Sequence, residues 1–164
     1  MEAERKVRYA IVGLGNIAQE DMMPGVEHTG NSEITALVTS DPAKADELGK
    51  KYNVEALFSY EQFPEALSSG SFDAIYLATP NWRRAEFIVP SLKAGIHVLT
   101  EKPLEVSTAK CKDILEAEAA SNVNSWSPTD FIWSRRHSIP SIKFDRSPRG
   151  SPSLRVDIFS IGRS

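Results

Sequence analysis

The first 123 residues of this 164-residue chain predict an α/β fold with a parallel, doubly wound sheet. Short β-rich runs alternate with helical segments in the order βαβαβαβαβα, which favours parallel strands joined by crossover helices. The fourth β-rich run, residues 72–78, is almost entirely apolar, as in a strand covered by helices on both faces. A glycine pattern directly after the first run is typical of the loop that opens a nucleotide-binding sheet.

Five strands are predicted from β-rich runs that are bounded by turn residues. They cover residues 6–12, 33–38, 56–58, 72–78 and 96–99. Ligands of such sheets bind at the carboxyl ends of the strands, so a site is expected in the loops that follow them.

The first predicted helix begins near Asn16 or Ile17. It is interrupted at Pro24, because proline can open a helical turn but does not fit within one. The later helices are predicted at residues 43–52, 61–67, 83–94 and 107–120.

Three helix ends carry a signal of their own. Asp41-Pro42 supplies an N-cap and a proline at the first helical position of the 43–52 helix. Gly95 is expected to end the 83–94 helix, and Ser107 is expected to cap the last helix.

Composition predicts a soluble, globular protein. Hydrophobic residues make up 41% and charged residues 25% of the chain. No apolar run approaches the roughly 18 residues of a membrane span, so no membrane partner is expected. The N-terminus has no signal-peptide pattern and the single cysteine, Cys111, fits a reducing compartment, which together predict a cytoplasmic location. No metal site is predicted.

The loop after the first strand carries the pattern Gly13-x-Gly15-x-x-Ala18. The first glycine permits a tight turn, the second lets backbone approach a phosphate, and Ala18 lets the helix pack closely on the strand. Backbone N–H groups at the helix start then bind the anion. The predicted dinucleotide-binding residues of this loop are Gly13, Leu14, Gly15, Asn16 and Ile17.

The loop after the second strand bears on the choice of cofactor. NAD sites usually have an acidic residue at the end of this strand, where this chain has Thr39. Asp41 is committed to capping, and the hydroxyls of Thr39 and Ser40 with the nearby Lys44 suit a 2′-phosphate. These residues predict NADP as the cofactor, with NAD as the alternative.

Polar residues also follow the fourth and fifth strands. Thr79, Pro80 and Asn81 follow the fourth strand, and the run Glu101-Lys102-Pro103 follows the fifth. Both loops are expected side by side at the switch point of the sheet. A lysine there can donate to a substrate hydroxyl or transfer a proton, so Lys102 is the candidate catalytic residue. The predicted cofactor-binding residues of these two loops are Thr79, Pro80, Asn81, Glu101, Lys102 and Pro103.

Three segments, "AIVGLGNIA", "ATPNWRRAEF" and "AGIHVLTEKPLEVS", resemble the glucose–fructose oxidoreductase/inositol dehydrogenase (Gfo/Idh/MocA) family in order and spacing. The resemblance covers about residues 5–123 and implies an NAD(P)-dependent oxidoreductase that acts on sugars or polyols. It implies a substrate or catalytic role for Lys102 and places Pro80, Asn81, Glu101 and Pro103 around the nicotinamide and ribose. The chain departs from the family at Arg84, where the family often has histidine. The family's second α/β substrate domain is expected to be missing, since the residues after 123 do not resemble it.

Composition changes sharply near Val123. Residues 1–123 contain 16 alanines and 14 glutamates, whereas residues 124–164 contain neither and include 10 serines. The sequence therefore predicts a dinucleotide-binding domain at 1–123 and an aberrant basic tail at 124–164. Two arginines and two tryptophans lie close together in this tail, a pattern that also occurs in nucleic-acid-binding arms, but nucleic acid is not expected as a partner.

A frameshift is our hypothesis for the origin of this tail. In a displaced reading frame the residues after Val123 admit the run Val-Ala-Tyr-Arg-Leu-His-Leu-Glu-Pro-Ala, the family's expected strand and the start of its second domain. A gene sequence with no second-domain coding region in that frame would contradict the hypothesis.

Three functions stay open from the sequence. The chain is an active oxidoreductase of this family, a cofactor-binding domain with weak or no hydride transfer, or a non-catalytic interaction module that uses its tail. The second is preferred, because substrate positioning depends on a domain that is missing here. A homo-oligomer is possible, since the last helix has apolar surface that another subunit could cover.

Overall fold

The computed structural model describes residues 6–123, 125–126, 144–145 and 153–154. In this part of the chain six parallel strands form one sheet in the order β3-β2-β1-β4-β5-β6. The strands are β1 Val7–Val12, β2 Ser32–Val38, β3 Ala56–Phe58, β4 Ala74–Leu77, β5 His97–Thr100 and β6 Ser125–Trp126. The predicted fold class is confirmed.

Helices connect the successive strands. They are α1 Met23–Thr29, α2 Pro42–Tyr52, α3 Phe63–Ser68, α4 Arg84–Lys93 and α5 Thr108–Ala119. A π-helical turn, Ala18–Met22, precedes α1, and a 3₁₀ turn, Asn81–Arg83, precedes α4. These bounds agree with the sequence prediction to within about two residues at most ends.

The interruption predicted at Pro24 takes the form of that π-helical turn. Helical backbone begins at Asn16, and the Met23 amide donates to the Ala18 carbonyl, five residues back. Pro24 is the second residue of α1, which directly follows the π-helical turn. The π-helical turn therefore accommodates a proline within a continuous helical segment.

Two of the predicted helix ends are confirmed and one is wrong in detail. The Asp41 carboxylate accepts from the Lys44 amide at 3.1 Å, and Gly95 follows α4 with φ of +74°. Ser107 lies at the N-cap position of α5, but its hydroxyl makes no capping hydrogen bond. The start of α5 is anchored differently, because Lys110 in its first turn donates to the Trp82 carbonyl at 2.8 Å.

The core consists of one apolar layer on each face of the sheet. Ala10 and Val12 point to the layer shared with α3, α4 and α5, whereas Tyr9 and Ile11 point to the layer shared with α1 and α2. Strand β4 alternates in the same way and is buried throughout. The helices switch faces where the chain leaves β3 and returns beside β1, so the switch point lies between β1 and β4.

The sixth strand was not expected from the sequence. Ser125–Trp126 pairs in parallel with β5, and the Glu118 carboxylate of α5 accepts from both the amide and the hydroxyl of Ser125 at 2.7 and 3.0 Å. Beyond it, β7 Phe144–Asp145 and β8 Ser153–Leu154 form an antiparallel pair. The domain boundary at Val123 stays a prediction, and most of the tail lies outside the described residues.

No helix in the described part of the chain is long and apolar enough to cross a membrane.

Candidate nucleotide-binding site at the switch point

The loop after β1 is in backbone contact with the loop after β4 at Gly13. Its φ is +89°, and a Cβ atom at this position would lie 3.0 Å from both the Ala78 carbonyl carbon and the Thr79 nitrogen. The Gly13 amide donates to the Val38 carbonyl of β2 at 2.9 Å. Only glycine allows this conformation and this approach together, so Gly13 fixes three strand ends relative to one another.

Gly15 has a different environment. Gly15, Asn16 and Ile17 are exposed, and no atom lies within 4 Å of the place where a Cβ of Gly15 would be. The Gln19 side-chain amide donates to the Leu14 carbonyl at 2.7 Å, which holds the loop against the first helical turn. The open side of the loop therefore presents the amides of a helix start to solvent, where an anion can bind.

Leu14 and Ala18 anchor this loop in the hydrophobic core. Both side chains are buried against the layer under α1, and Ala18 is fully inaccessible. Leu14 thus contributes its backbone to the predicted site while its side chain belongs to the core. The close packing predicted for Ala18 is present.

The residues predicted to meet a 2′-phosphate lie in the loop after β2 and in the first turn of α2. Thr39 is buried, its amide donates to the Phe58 carbonyl at 3.0 Å, and its hydroxyl accepts from the Asp41 amide at 3.2 Å. Ser40 is exposed and Lys44 is half-buried in the first turn of α2. Asp41 is engaged as the cap, so its carboxylate is held by the Lys44 amide.

Thr79 carries an unsatisfied hydroxyl next to the glycine loop. The residue is 3% exposed, and its Oγ1 has no hydrogen-bond partner among the described residues. A buried hydroxyl without a partner costs stability, and a ligand that bonds it would recover that loss. Pro80 is exposed and Asn81 half-buried in the turn that follows.

The loop after β5 holds the candidate lysine. Lys102 and Pro103 are exposed, and the peptide bond between them is cis. Glu101 is fixed on both sides: its amide donates to the Leu77 carbonyl at 3.4 Å and its carboxylate accepts from the Tyr76 hydroxyl at 2.8 Å. Burial and this carboxylate both raise the pKa of Tyr76 above its ordinary value.

Arg84 was identified from the sequence only as a departure from the family pattern. In the structure it is buried in the first turn of α4, and its guanidinium donates to the carbonyls of Thr79, Glu101 and Pro103. Burial lowers the pKa of Arg84, while Glu101 and other neighbouring groups oppose that shift. No local sequence signal marks this role, because its carbonyl partners come from two separate loops.

A second missed residue, Glu105, secures the far end of the same loop. Its buried carboxylate accepts from the Ala85 amide at 3.2 Å and from the Val106 amide at 2.8 Å. Lys110 lies 3.9 Å from it. The segment after β5 is therefore tied to the start of α4 at both of its ends.

The chain belongs to an oxidoreductase family with an NAD-binding Rossmann fold, whose family model matches residues 7–127. It is 29% identical over 141 residues to a D-xylose 1-dehydrogenase [NADP(+)] of Haloarcula marismortui, a match that covers 85% of this chain and 38% of that protein. It is 31% identical over 117 residues to an NADP(+)-linked scyllo-inositol 2-dehydrogenase of Bacillus subtilis, covering 71% and 35% of the two chains. The resemblance stated from sequence is confirmed.

Solved structures agree with this assignment. The crystal structure of an aldose-aldose oxidoreductase from Caulobacter crescentus, complexed with glycerol, matches with a TM-score of 0.72 and 30% identity, over 77% of this chain and 39% of that one. A 3-ketoreductase from Actinomadura kijaniata, in complex with TDP-benzene and NADP, matches with a TM-score of 0.69 and 25% identity, over 78% and 40%. The chain spans about two fifths of the length of these relatives.

The two glycines of the loop should respond differently to alanine. Gly13→Ala should lower the free energy of unfolding by at least about 2 kcal/mol, because it adds a left-handed backbone penalty to a backbone clash. Gly15→Ala, with open space around it, should change stability by no more than about 0.5 kcal/mol. Urea unfolding followed by circular dichroism measures both, and equal losses would contradict the assigned constraint.

Stability should fall at alkaline pH partly through Tyr76. A free tyrosine ionises near pH 10, whereas the buried Tyr76 keeps its proton to higher pH, so its contribution is complete below pH 10 and declines above it. In Tyr76→Phe the free energy of unfolding should decrease less steeply between about pH 9.5 and 11. The decrease should not vanish, since burial also raises the pKa of Tyr9 and Tyr60. Urea unfolding at each pH provides the slopes; identical slopes in both proteins would refute the prediction.

Proposed function

We propose that this domain binds NADP at the switch point and is the nucleotide-binding part of an oxidoreductase that acts on a sugar or polyol. The observation that carries the proposal is the buried, unpartnered Thr79 hydroxyl beside the open Gly15 loop. It is supported by the NADP named for the xylose and inositol dehydrogenases and for the ketoreductase complex. A cytoplasmic location accompanies it as a prediction from the single cysteine.

Residues from four loops are assigned to different parts of the cofactor. The exposed amides that follow Gly13 are assigned to the pyrophosphate, and Thr39, Ser40 and Lys44 to the adenosine 2′-phosphate. Lysine suits that phosphate because it offers a mobile point charge, and neither Thr39 nor Ser40 brings a carboxylate that would repel it. The residues assigned to the nicotinamide side are Thr79, Pro80, Asn81, Glu101 and Pro103.

Lys102 is assigned to the substrate side. When bound, NADP supplies a centre that accepts or donates a hydride. Next to it, an exposed lysine at the carboxyl end of β5 can donate to a substrate hydroxyl or take part in its proton transfer. Its neighbour Glu101 is held by Tyr76, which fixes the backbone from which the lysine projects.

Hydride transfer by the 164-residue chain on its own is proposed to be weak or absent. Orientation of substrate against cofactor contributes roughly 7–11 kcal/mol of barrier lowering in favourable cases. In the described residues, polar groups assigned to a substrate come only from the Lys102 loop. The interaction-module alternative depends on tail residues that lie outside the described part of the chain.

Lys44 should distinguish NADPH from NADH. Lys44→Ala should weaken NADPH binding by about 1–2 kcal/mol, the scale of one charge-assisted hydrogen bond, and leave NADH nearly unchanged. Isothermal titration calorimetry measures both affinities. Lys50→Ala, in the last turn of the same helix, is the matched control and should alter neither; equal losses for the two cofactors in Lys44→Ala would exclude a contact with the 2′-phosphate.

The isolated chain should bind NADPH without ordinary turnover. We expect no appreciable oxidation of D-xylose, scyllo-inositol or related polyols when NADP reduction is followed by absorbance. Lys102→Ala should leave cofactor affinity unchanged, because the lysine is assigned to the substrate. Turnover at ordinary enzyme rates, ~1–10³ s⁻¹, would show that the chain supplies its own substrate site.

A further inference from the structure

We propose that Arg84 is the positioning residue of the nicotinamide side of this site: it holds the Glu101–Pro103 segment, and Lys102 within it, against the loop after β4. The inference rests on the proposed function and extends it to a residue that neither the glycine motif nor the loop pattern marks. It concerns the backbone on which Lys102 is carried, not a contact of Arg84 with substrate.

The contacts of the guanidinium define this role. Its Nε donates to the Thr79 carbonyl at 3.3 Å, and its Nη1 donates to the carbonyls of Glu101 and Pro103. The last two carbonyls belong to the residues on either side of Lys102. One side chain therefore fixes the lysine's neighbours to each other and to the strand-end loop that carries the unpartnered Thr79 hydroxyl.

Arginine is suited to this place by its shape and charge. Its planar group offers five N–H donors in a rigid fork, so it can bond several carbonyls at once. The residue is 5% exposed, and a charge so deeply buried persists only where it is well bonded. Lysine would keep the positive charge but lacks the planar group with several donors. Methionine is of comparable size but has neither the charge nor the donors.

The adenosine side of the site does not depend on Arg84. The Gly13 amide is bonded to Val38, and the Thr39 amide to Phe58, so these loops are held by the sheet itself. Loss of Arg84 should therefore loosen the nicotinamide side while the adenosine side stays in place. A ligand that occupies only the adenosine side separates the two effects.

The test compares NADPH with 2′,5′-ADP, which lacks the nicotinamide half, by isothermal titration calorimetry on the full 164-residue chain. Arg84→Met should weaken NADPH by about tenfold or more, on the scale of lost hydrogen bonds to a charged group, and 2′,5′-ADP by less than about twofold. Arg84→Lys should fall between the original chain and Arg84→Met. The nicotinamide fluorescence of bound NADPH should change in Arg84→Met, because its surroundings become more open to water.

Arg8→Met is the matched control. The Arg8 guanidinium likewise donates several hydrogen bonds, to the Asp73 carboxylate and the Gly70 carbonyl, but it lies at the amino ends of β1 and β4, opposite to the site. Its loss should lower stability while leaving both ligands and the NADPH fluorescence unchanged. This control separates general destabilisation from a local effect on the site.

The outcomes distinguish this inference from the proposed function. If the unsubstituted chain binds neither ligand, the proposed function is wrong and the inference fails with it. If it binds both but Arg84→Met weakens them equally, or weakens neither, the function stands and the inference is overturned. If Arg84→Met does not fold, Arg84→Lys carries the same comparison, with a selective loss of NADPH affinity supporting the inference and an equal or absent loss overturning it.

Discussion

The contact between Gly13 and the Ala78–Thr79 peptide is the constraint on which the site depends. At about 3 Å from a hypothetical Cβ, this peptide leaves no room for any side chain at position 13. The hydrogen bond between the Ala78 amide and the Val12 carbonyl, at 2.8 Å, draws the two strand ends together just below the contact. The loop after β5 is bonded to the same strand end, because the Glu101 amide donates to the Leu77 carbonyl of β4, so its position also depends on this approach of backbone to backbone.

Charged side chains hold the segment after β5, which carries Lys102, in place. Arg84 and the carboxylates of Glu101 and Glu105 lie in and around the segment after β5, where each is bonded to backbone or to a tyrosine. Removing one of these side chains leaves the groups bonded to it without that partner, which costs more than the bond itself contributed where those groups are buried. These bonds favour one position of the segment. A fixed position is required if Lys102, at the centre of the segment, is to contact a small substrate.

Much of the fold was predictable because it follows from local patterns. The apolar run that became β4, the glycine turn at Gly13 and the Asp41-Pro42 helix start are each recognisable within a few residues of sequence. Strand β6 was not, since Ser125 and Trp126 carry no periodic pattern and join the sheet through β5 and Glu118. The missing capping bond of Ser107 could not be predicted either, and the bond from Lys110 to the Trp82 carbonyl joins residues 28 positions apart in the chain.

The candidate site likewise has residues that the sequence marks and residues that only the structure reveals. Glycine and helix-start signals predict a pyrophosphate loop after β1, and the absence of an acid at Thr39 favours NADP over NAD. Arg84 binds carbonyls 5, 17 and 19 positions away along the chain, a relation visible only after β4 and β5 are paired. The sequence likewise does not mark the Thr79 hydroxyl, which the packing leaves without a hydrogen-bond partner in the part of the chain that the structure describes.

The pairing of β1 with β4 has a consequence for how the domain acquires its site. Tyr9 lies opposite Ala74, so this pairing closes a loop of 65 positions, and contacts of such large sequence separation form late and slowly in folding. Strands β1 and β2 with their helices can form a local unit first, yet that unit lacks Thr79, Arg84 and Lys102. The candidate site is therefore complete only in the finished sheet, and a ligand bound there would stabilise the native state selectively over any partly folded one.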